Sequence, residues 1–115
     1  MIMTDTGFDI AGLKACHRPV SEFRYEKRPV IAGYNDRTLY VNVGDGRITE
    51  KPVSADTRAK FTGGKGYGLK LLWDAVTPAT KWNDPENEVN IATGPVGGNT
   101  NYPGSGKSIV VSISP

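Results

Sequence analysis

The order of the predicted elements places this chain in the α+β class. In sequence order, the 115 residues predict strand, strand, helix, helix, strand, glycine-rich loop and strand, with no internal repeat. Strands that follow one another directly favour sheets built by short-range pairing. Apolar residues make up 37% of the chain, and its length suits a single hydrophobic core. We therefore predict a β-sheet domain with short helices over residues 37–115, preceded by an N-terminal arm over residues 1–36.

The N-terminal arm lacks the periodicity of a regular element. It mixes polar, basic and proline positions, and only residues 10–15 predict a short helical turn. A segment of this kind becomes ordered when it lies against another surface. We hypothesise that the arm is a docking segment.

A strand-turn-strand hairpin opens the domain. Residues 38–43 alternate in the manner of a half-buried strand, and residues 47–51 predict the returning strand after the Gly-Asp-Gly turn at 44–46. The alternation predicts a buried side made of Leu39, Val41 and Val43.

Two helices follow the hairpin. Ser54 is a suitable N-cap for a helix that ends at Phe61, and Gly63 supplies a left-handed residue after that end. Residues 67–76 predict a second helix with apolar side chains at the i, i+3, i+4, i+7 spacing, which we interpret as core. This stripe consists of Leu69, Leu72, Trp73 and Val76.

Two strands complete the domain. Residues 83–87 predict a turn, and strands are predicted over residues 88–93 and 108–114. The last strand places Ile109, Val111 and Ile113 on one face.

Composition excludes several classes of function. A net charge of +2, spread along the chain, does not indicate a nucleic-acid partner. No apolar run approaches the roughly 20 residues that cross a bilayer, and the start lacks a secretory signal, so we expect a cytoplasmic protein with no membrane span. The single cysteine, Cys16, excludes an internal disulfide and a cysteine-only metal site. The neighbouring His17 is the single histidine, and the pair has no third or fourth ligand, so we interpret the two as neighbours in a loop. We predict no catalytic residue and no metal ligand in this chain.

The glycines are unevenly distributed, and most of them lie in two clusters. Four of the fourteen glycines lie within residues 63–68, which we call the first glycine segment, and five lie within residues 94–107, the second glycine segment. The first segment leads into the predicted second helix, where free N–H groups, the helix dipole and Lys65 suit an anion. A joint between two helices also needs glycine for geometry alone, so both interpretations stand.

The second glycine segment superficially matches a nucleotide-binding P-loop at its end, Gly-Ser-Gly-Lys-Ser. The P-loop pattern needs glycine where this chain has Asn101, and a helix where residues 108–114 predict a strand. A loop of this length in a small domain usually has a function. We therefore interpret it as a binding surface with Lys107 at its far end.

Four stretches of the chain resemble the start of the aldehyde:ferredoxin oxidoreductases. They are LYVNVGDGRITEKPV, AKFTGGKGYGLKLLWDAV, DPENEVNIATGPVGG and YPGSGKSIVVSISP, in the family's order and with nearly gapless spacing over residues 38–115. The resemblance implies an N-terminal domain whose sheets support two molybdopterin-type pterins, with tungsten held by their dithiolene sulfurs. It also allows a Mg²⁺ ion, and it implies oxidation of aldehydes to carboxylic acids with electron transfer to a [4Fe-4S] cluster and ferredoxin.

The resemblance assigns the cofactor-binding residues to the two glycine segments. Two of them depart from the family: Lys65 and Lys107 stand where arginines are usual, so the charge is kept and the planar guanidinium is lost. The predicted cofactor-binding residues are Gly63, Gly64, Lys65, Gly66, Gly68, Gly94, Pro95, Gly104, Gly106 and Lys107.

Family chains run to several hundred residues, and their cluster-binding cysteines lie beyond the point that corresponds to Pro115. The resemblance therefore implies a split subunit or a fragment, with a larger subunit that carries the cluster and with ferredoxin or an electron-transfer subunit as a further partner. Two alternatives stay open. One is a non-catalytic binding or assembly module that keeps the fold, and the other is a subunit of a benzoyl-CoA-reductase-like member of the family.

Overall fold

The computed structural model describes residues 9–99, 101 and 103–115. Residues 1–8 of the N-terminal arm, and Thr100 and Tyr102 of the second glycine segment, lie outside the described residues. These residues contain three short helices and four strands, and the strands form two separate two-stranded antiparallel sheets, which confirms the α+β class. The elements are α1 (Ile10–Cys16), β1 (Arg37–Val41), β2 (Ile48–Pro52), α2 (Ala55–Phe61), α3 (Gly64–Ala75), β3 (Asn90–Ala92) and β4 (Ile109–Val111).

The first sheet is the predicted hairpin. Strands β1 and β2 pair with Arg37 opposite Pro52 and Val41 opposite Ile48. The turn is closed by hydrogen bonds from Gly46 N to the Asn42 carbonyl oxygen and from Asn42 N to the Arg47 carbonyl oxygen, both 2.9 Å long. The strand-turn-strand prediction is therefore confirmed.

The predicted buried face of this hairpin is wrong. Leu39, Val41 and Val43 are 53%, 55% and 95% exposed. The opposite face turns inward, and there the Thr38 hydroxyl hydrogen-bonds the Tyr67 hydroxyl of α3. Alternation in the sequence shows that two faces differ, but the rest of the chain covers the polar one.

Helix α2 begins and ends as predicted. The Ser54 hydroxyl accepts a hydrogen bond from Thr57 N at 3.1 Å, which satisfies one of the N–H groups that a helix start leaves without a partner. The residue with left-handed φ after the helix is Thr62, at φ 57°, and Gly63 at φ 149° is instead the N-cap of the next helix. The predicted cap was thus one residue too late, because the two helices share this short joint.

Helix α3 begins at Gly64, three residues before the predicted start, so most of the first glycine segment is helical rather than a loop. Each glycine inside a helix costs about 1 kcal/mol relative to alanine. Close packing offsets this cost, because the helix lies directly against α2 and against the second sheet. Gly68 is buried at that second contact.

The second sheet packs one face on α3. Strands β3 and β4 pair with Asn90 opposite Val111, and this pair lies over Gly68. Of the predicted face of the last strand, Val111 and Ile113 are half-buried, whereas Ile109 is 38% exposed. The next pair, Ile91 and Val110, points away from α3 and is 71% and 63% exposed.

No large apolar side chain among the described residues is buried. The predicted core stripe of α3 is covered only in part within this chain. Leu72 and Val76 are half-buried, whereas Leu69 is 47% and Trp73 82% exposed. The Cα radius of gyration is 18.2 Å, whereas a compact domain of this length has about 13 Å. Helix α3 and the two sheets therefore have apolar faces that no other part of the described chain covers. Within the described residues, none of the helices has the length and hydropathy that crossing a membrane would need.

Candidate functional site

The start of α3 and the segment that follows β3 lie against each other. Gly64 N donates a hydrogen bond to the Thr93 carbonyl oxygen at 3.0 Å. A Cβ added at Gly63 would lie 3.2 Å from that same oxygen and 3.5 Å from Gly94 Cα and from the Pro95 ring. The structure thus brings together Gly63, Gly64, Gly94 and Pro95, which the sequence placed in two separate segments.

The glycines of the first segment have structural reasons to be glycine. A Cβ at Gly66 would lie 2.8 Å from the Phe61 carbonyl oxygen, and one at Gly68 would lie 2.9 Å from Val111 Cγ2. Both distances are too short for a real side chain. For this segment, geometry therefore accounts for the glycines without a ligand.

The glycines of the second segment differ. A Cβ at Gly94 or at Gly106 would meet no atom within 4 Å, and neither residue has a left-handed φ. Gly104 also faces open space, although its φ of +91° suits glycine. Nothing among the described residues demands glycine at Gly94 and Gly106, so their bare backbone is open to an external group.

The far end of the second segment is held near its beginning. Gly98 N donates to the Ser105 carbonyl oxygen at 2.9 Å, and the Ser105 hydroxyl donates to the Asn99 carbonyl oxygen at 2.6 Å. Lys107 follows this closure with an exposed side chain and leads into β4. A Cβ at Gly64 would lie 4.0 Å from Ile109 Cγ1, so the start of β4 comes close to the start of α3.

The N-terminus of α3 suits an anion. Its N-cap, Gly63, provides no side chain to accept from the first N–H groups, and its first turn holds no acidic residue. Helix N-termini carry a partial positive charge. Lys65 adds a full charge on an exposed side chain in that turn.

A cleft of about 380 Å³ lies beside Thr93 and Pro95, between the second sheet and the first hairpin. Two of its lining groups, Asn35 Oδ1 and Asn90 Nδ2, are buried and find no hydrogen-bond partner among the described residues. Asn90 is only 9% exposed. The sequence analysis missed both. For Asn90 the signal was an asparagine at an inward position of a short apolar strand; Asn35 precedes β1 and gave no such signal.

Burial also changes the acidity of one tyrosine, Tyr40 in β1 of the first hairpin. Loss of solvent raises the pKa of the Tyr40 hydroxyl above its usual 10.0, and the charges of Tyr67, Glu88 and Asp74 raise it further. The Lys51 ammonium lies 4.0 Å from the centre of the Tyr40 ring, on the hairpin. Tyr40 therefore stays a neutral hydroxyl through the physiological range of pH.

Across residues 9–99, 101 and 103–115, no three His, Cys, Asp or Glu side chains gather closely enough to hold a metal ion. Cys16 has a free, exposed thiol.

Comparison with known proteins identifies the class. The profile of the aldehyde ferredoxin oxidoreductase N-terminal domain matches residues 38–115, which is more than half of the chain. The chain therefore belongs to the aldehyde ferredoxin oxidoreductase family, as the four motifs predicted.

Curated relatives from three Pyrococcus species are similar to most of the chain. The tungsten-containing aldehyde ferredoxin oxidoreductases of Pyrococcus horikoshii and Pyrococcus abyssi are each 35% identical over 83 residues, which is 72% of this chain. An aliphatic sulfonate oxidoreductase of Pyrococcus furiosus, described as a WOR-like subunit, is 39% identical over 87 residues, or 71% of this chain.

The chain spans only a small part of these relatives. The matched region covers 14% of the two aldehyde ferredoxin oxidoreductases and 13% of the sulfonate oxidoreductase. No solved structure matches the chain significantly.

Proposed function

We propose that this chain forms part of the tungsten-bispterin site of an aldehyde:ferredoxin-oxidoreductase-type enzyme, as a subunit or portion that is inactive alone. The observation that carries the proposal is the open backbone of Gly94 beside the start of α3, which has no side-chain cap. In this proposal the enzyme oxidises aldehydes to carboxylates, and the electrons leave through a [4Fe-4S] cluster held by the remaining polypeptide.

The chain's own residues fit such a cofactor. Pterin cofactors carry phosphate and ring oxygens, which accept hydrogen bonds from backbone N–H groups and are attracted to helix N-termini. Gly94 and Gly106 leave backbone open, and Lys65 places a positive charge in the first turn of α3. Lys107 would add a second charge at the far end of the second glycine segment.

The remaining predicted site residues have a supporting role in this proposal. Gly63, Gly64, Gly66 and Gly68 allow α3 to start against Thr93 and to pack on α2 and the second sheet. Their contribution is to place the helix terminus where the cofactor's oxygens would lie. When bound, the tungsten held by pterin sulfurs supplies the two-electron oxidation, and this chain binds and orients the group that holds it.

The uncovered apolar surface supports a larger partner polypeptide. Ile91 and Val110 form an exposed cross-strand pair on one sheet, and Leu39 and Val41 are exposed on the other. Isolated two-stranded sheets are marginally stable in water, and large exposed apolar surfaces usually mark interfaces. The same surface argues against the alternative of an independent, non-catalytic module.

The test is to isolate the protein from its native cells through a tag on this chain. Co-purifying chains would be identified by mass spectrometry, and the complex assayed for tungsten, molybdenum and iron. We expect a larger, cysteine-bearing chain, tungsten and about four irons per complex, the content of one [4Fe-4S] cluster. A chain that purifies from its native cells without a partner and without metal would contradict the proposal and favour the binding module.

Lys107 offers a residue-level prediction for that complex. We expect Lys107→Ala to lower cofactor affinity by roughly tenfold or more, because a hydrogen bond to a charged group contributes about 1.5–3 kcal/mol. Lys107→Arg should retain most of the affinity, since arginine keeps the charge. Lys81→Ala removes an exposed lysine from the turn before β3 and is the control. Tungsten per complex, measured during dialysis, reports the difference, and equal retention in all variants would remove Lys107 from the site.

A further inference from the structure

A tight turn just before the matched domain carries an inference that none of the motifs suggested. The backbone groups of Ile31 and Tyr34 exchange two hydrogen bonds, each 2.9 Å long. The two central residues, Ala32 and Gly33, have φ values of 51° and 83°. Left-handed φ at both central positions defines a type I′ turn, so Gly33 stands at the tip of a well-defined hairpin turn.

The tip of this turn lies in contact with the second glycine segment, at Pro95. A Cβ added at Gly33 would lie 1.8 Å from the Pro95 carbonyl oxygen and 2.8 Å from Pro95 Cα. No residue with a side chain fits there unless the turn or the Pro95 backbone moves. Gly33 and Pro95 also line the same cleft.

The turn is anchored on its other side to the hairpin and to α2. The Asp36 carbonyl oxygen accepts a hydrogen bond from Val53 N at 2.9 Å. The Asp36 carboxylate pairs with Arg58 Nη1 at 2.6 Å, and the Arg58 guanidinium lies 5.1 Å from the centre of the Tyr34 ring. These contacts fix the position of residues 31–36, and with it the position of Gly33 against Pro95.

Hydrogen bonds also hold the backbone on either side of Pro95. Gly64 N bonds the Thr93 carbonyl oxygen from the α3 side, and the Gly97 N–H bonds the Gly94 carbonyl oxygen within the segment. Gly94 itself faces open space. The backbone of residues 93–97 is thus held between the start of α3 and the tip of the turn.

We propose that residues 31–36 are a positioning element for residues 93–97, with Gly33 acting through Pro95 to fix the open backbone at Gly94. The arm thereby contributes to the cofactor site without touching the cofactor. This inference rests on the proposed function for its consequence, but the positioning can be measured without any cofactor.

The experiment compares two asparagine variants of the full chain by amide hydrogen exchange. Asparagine tolerates left-handed φ, so Gly33→Asn keeps the turn's backbone while it adds a side chain against Pro95. Ala32→Asn is the matched control, because Asn-Gly is the preferred type I′ pair and the Gly33 contact is kept. We expect Gly33→Asn to speed exchange at Gly64, Gly97 and Gly98 by about tenfold, as local opening of their hydrogen bonds requires. The control should leave these amides unchanged.

A second variant guards against a loss of the whole fold. Asp36→Asn keeps the shape and the carbonyl bond to Val53 but removes the charge that pairs with Arg58. It should produce the same change at the same amides, by a smaller factor, while the Val76 amide at the end of α3 keeps its exchange rate. Unchanged exchange at Gly64, Gly97 and Gly98 in a folded Gly33→Asn chain overturns the proposal. If that variant unfolds, unchanged exchange in Asp36→Asn overturns it.

Tungsten content of the complex separates this inference from the proposed function. Faster exchange with a reduced tungsten content supports both. Faster exchange with full tungsten content keeps the positioning role and removes residues 93–97 from the cofactor site.

Discussion

The two glycine segments look alike in the sequence and differ in the structure. In the first, Gly66 and Gly68 are glycine because a side chain would collide with Phe61 and Val111. In the second, Gly94 and Gly106 face open space and have no left-handed φ. One segment uses glycine to bring its own elements together, and the other leaves backbone uncovered.

The difference separates two roles of glycine in a glycine-rich sequence: close packing within the fold, and binding of an external group. A glycine required by internal contacts is explained by the fold, and its substitution is expected to cost stability. A glycine that the fold does not require needs an external explanation, and its substitution is expected to affect binding. The following predictions test that division, from the largest expected effect to the smallest.

The largest effect is expected at Gly66. A Cβ there would lie 2.8 Å from a backbone carbonyl oxygen, which cannot rotate away as a side chain does. Overpacking costs about 1–3 kcal/mol, and the better helix propensity of alanine returns at most about 1 kcal/mol. We expect Gly66→Ala to lower the Tm of the full chain by several degrees, as followed by far-UV circular dichroism. A raised Tm would show that the packing contact does not exist.

A smaller change in stability, together with a loss of cofactor, is expected at Gly94. Its added Cβ enters open space, so Gly94→Ala should change the free energy of unfolding by no more than about 0.5 kcal/mol. If residues 93–97 hold the cofactor, tungsten retention by the tagged complex should fall severalfold. Gly44→Ala, the same change in the β1–β2 turn, serves as the control. Tungsten retention equal to that of the control would place the cofactor elsewhere.

The smallest expected effect is on the pH dependence of the free energy of unfolding. Measuring it tests how closely the hairpin packs on the first glycine segment. Burial beside Tyr67 raises the pKa of Tyr40 above 10.0, so the folded chain keeps this proton longer than the unfolded chain does. Stability from this source is fully present below about pH 10 and is lost as the pH rises through the folded pKa. Urea denaturation from pH 9 to 11 should show a steeper loss for the natural chain than for Tyr40→Phe. Equal slopes would mean that Tyr40 is solvated.

Much of the fold was predictable because local signals determined it. The Ser54 cap fixed the start of α2, and the Gly-Asp-Gly turn fixed the first hairpin. The start of α3 was not predictable from propensity, since four glycines disfavour a helix and only contacts with Phe61 and Val111 favour it.

The prediction of which faces are buried failed for a different reason. The alternation of Leu39 and Val41 indicated correctly that one side of the strand is apolar. It did not indicate that this side would remain exposed in the described chain. For the site, the motifs predicted both glycine segments, and that prediction still stands to be tested. The approach of Gly33 to Pro95 is a contact between distant residues that no local pattern encodes.

The uncovered sheets have a consequence for the life of the chain in the cell. In the part of the chain that the structure describes, each of the two sheets has only two strands. Every strand there presents a free edge, next to exposed apolar side chains such as Ile91 and Val110. Free edges of this kind invite pairing with other chains. In the proposed complex, the chain therefore has to meet its partner soon after synthesis. We expect any surplus made without that partner to be removed by proteolysis or to self-associate, so the cell would need to make the two polypeptides in matched amounts.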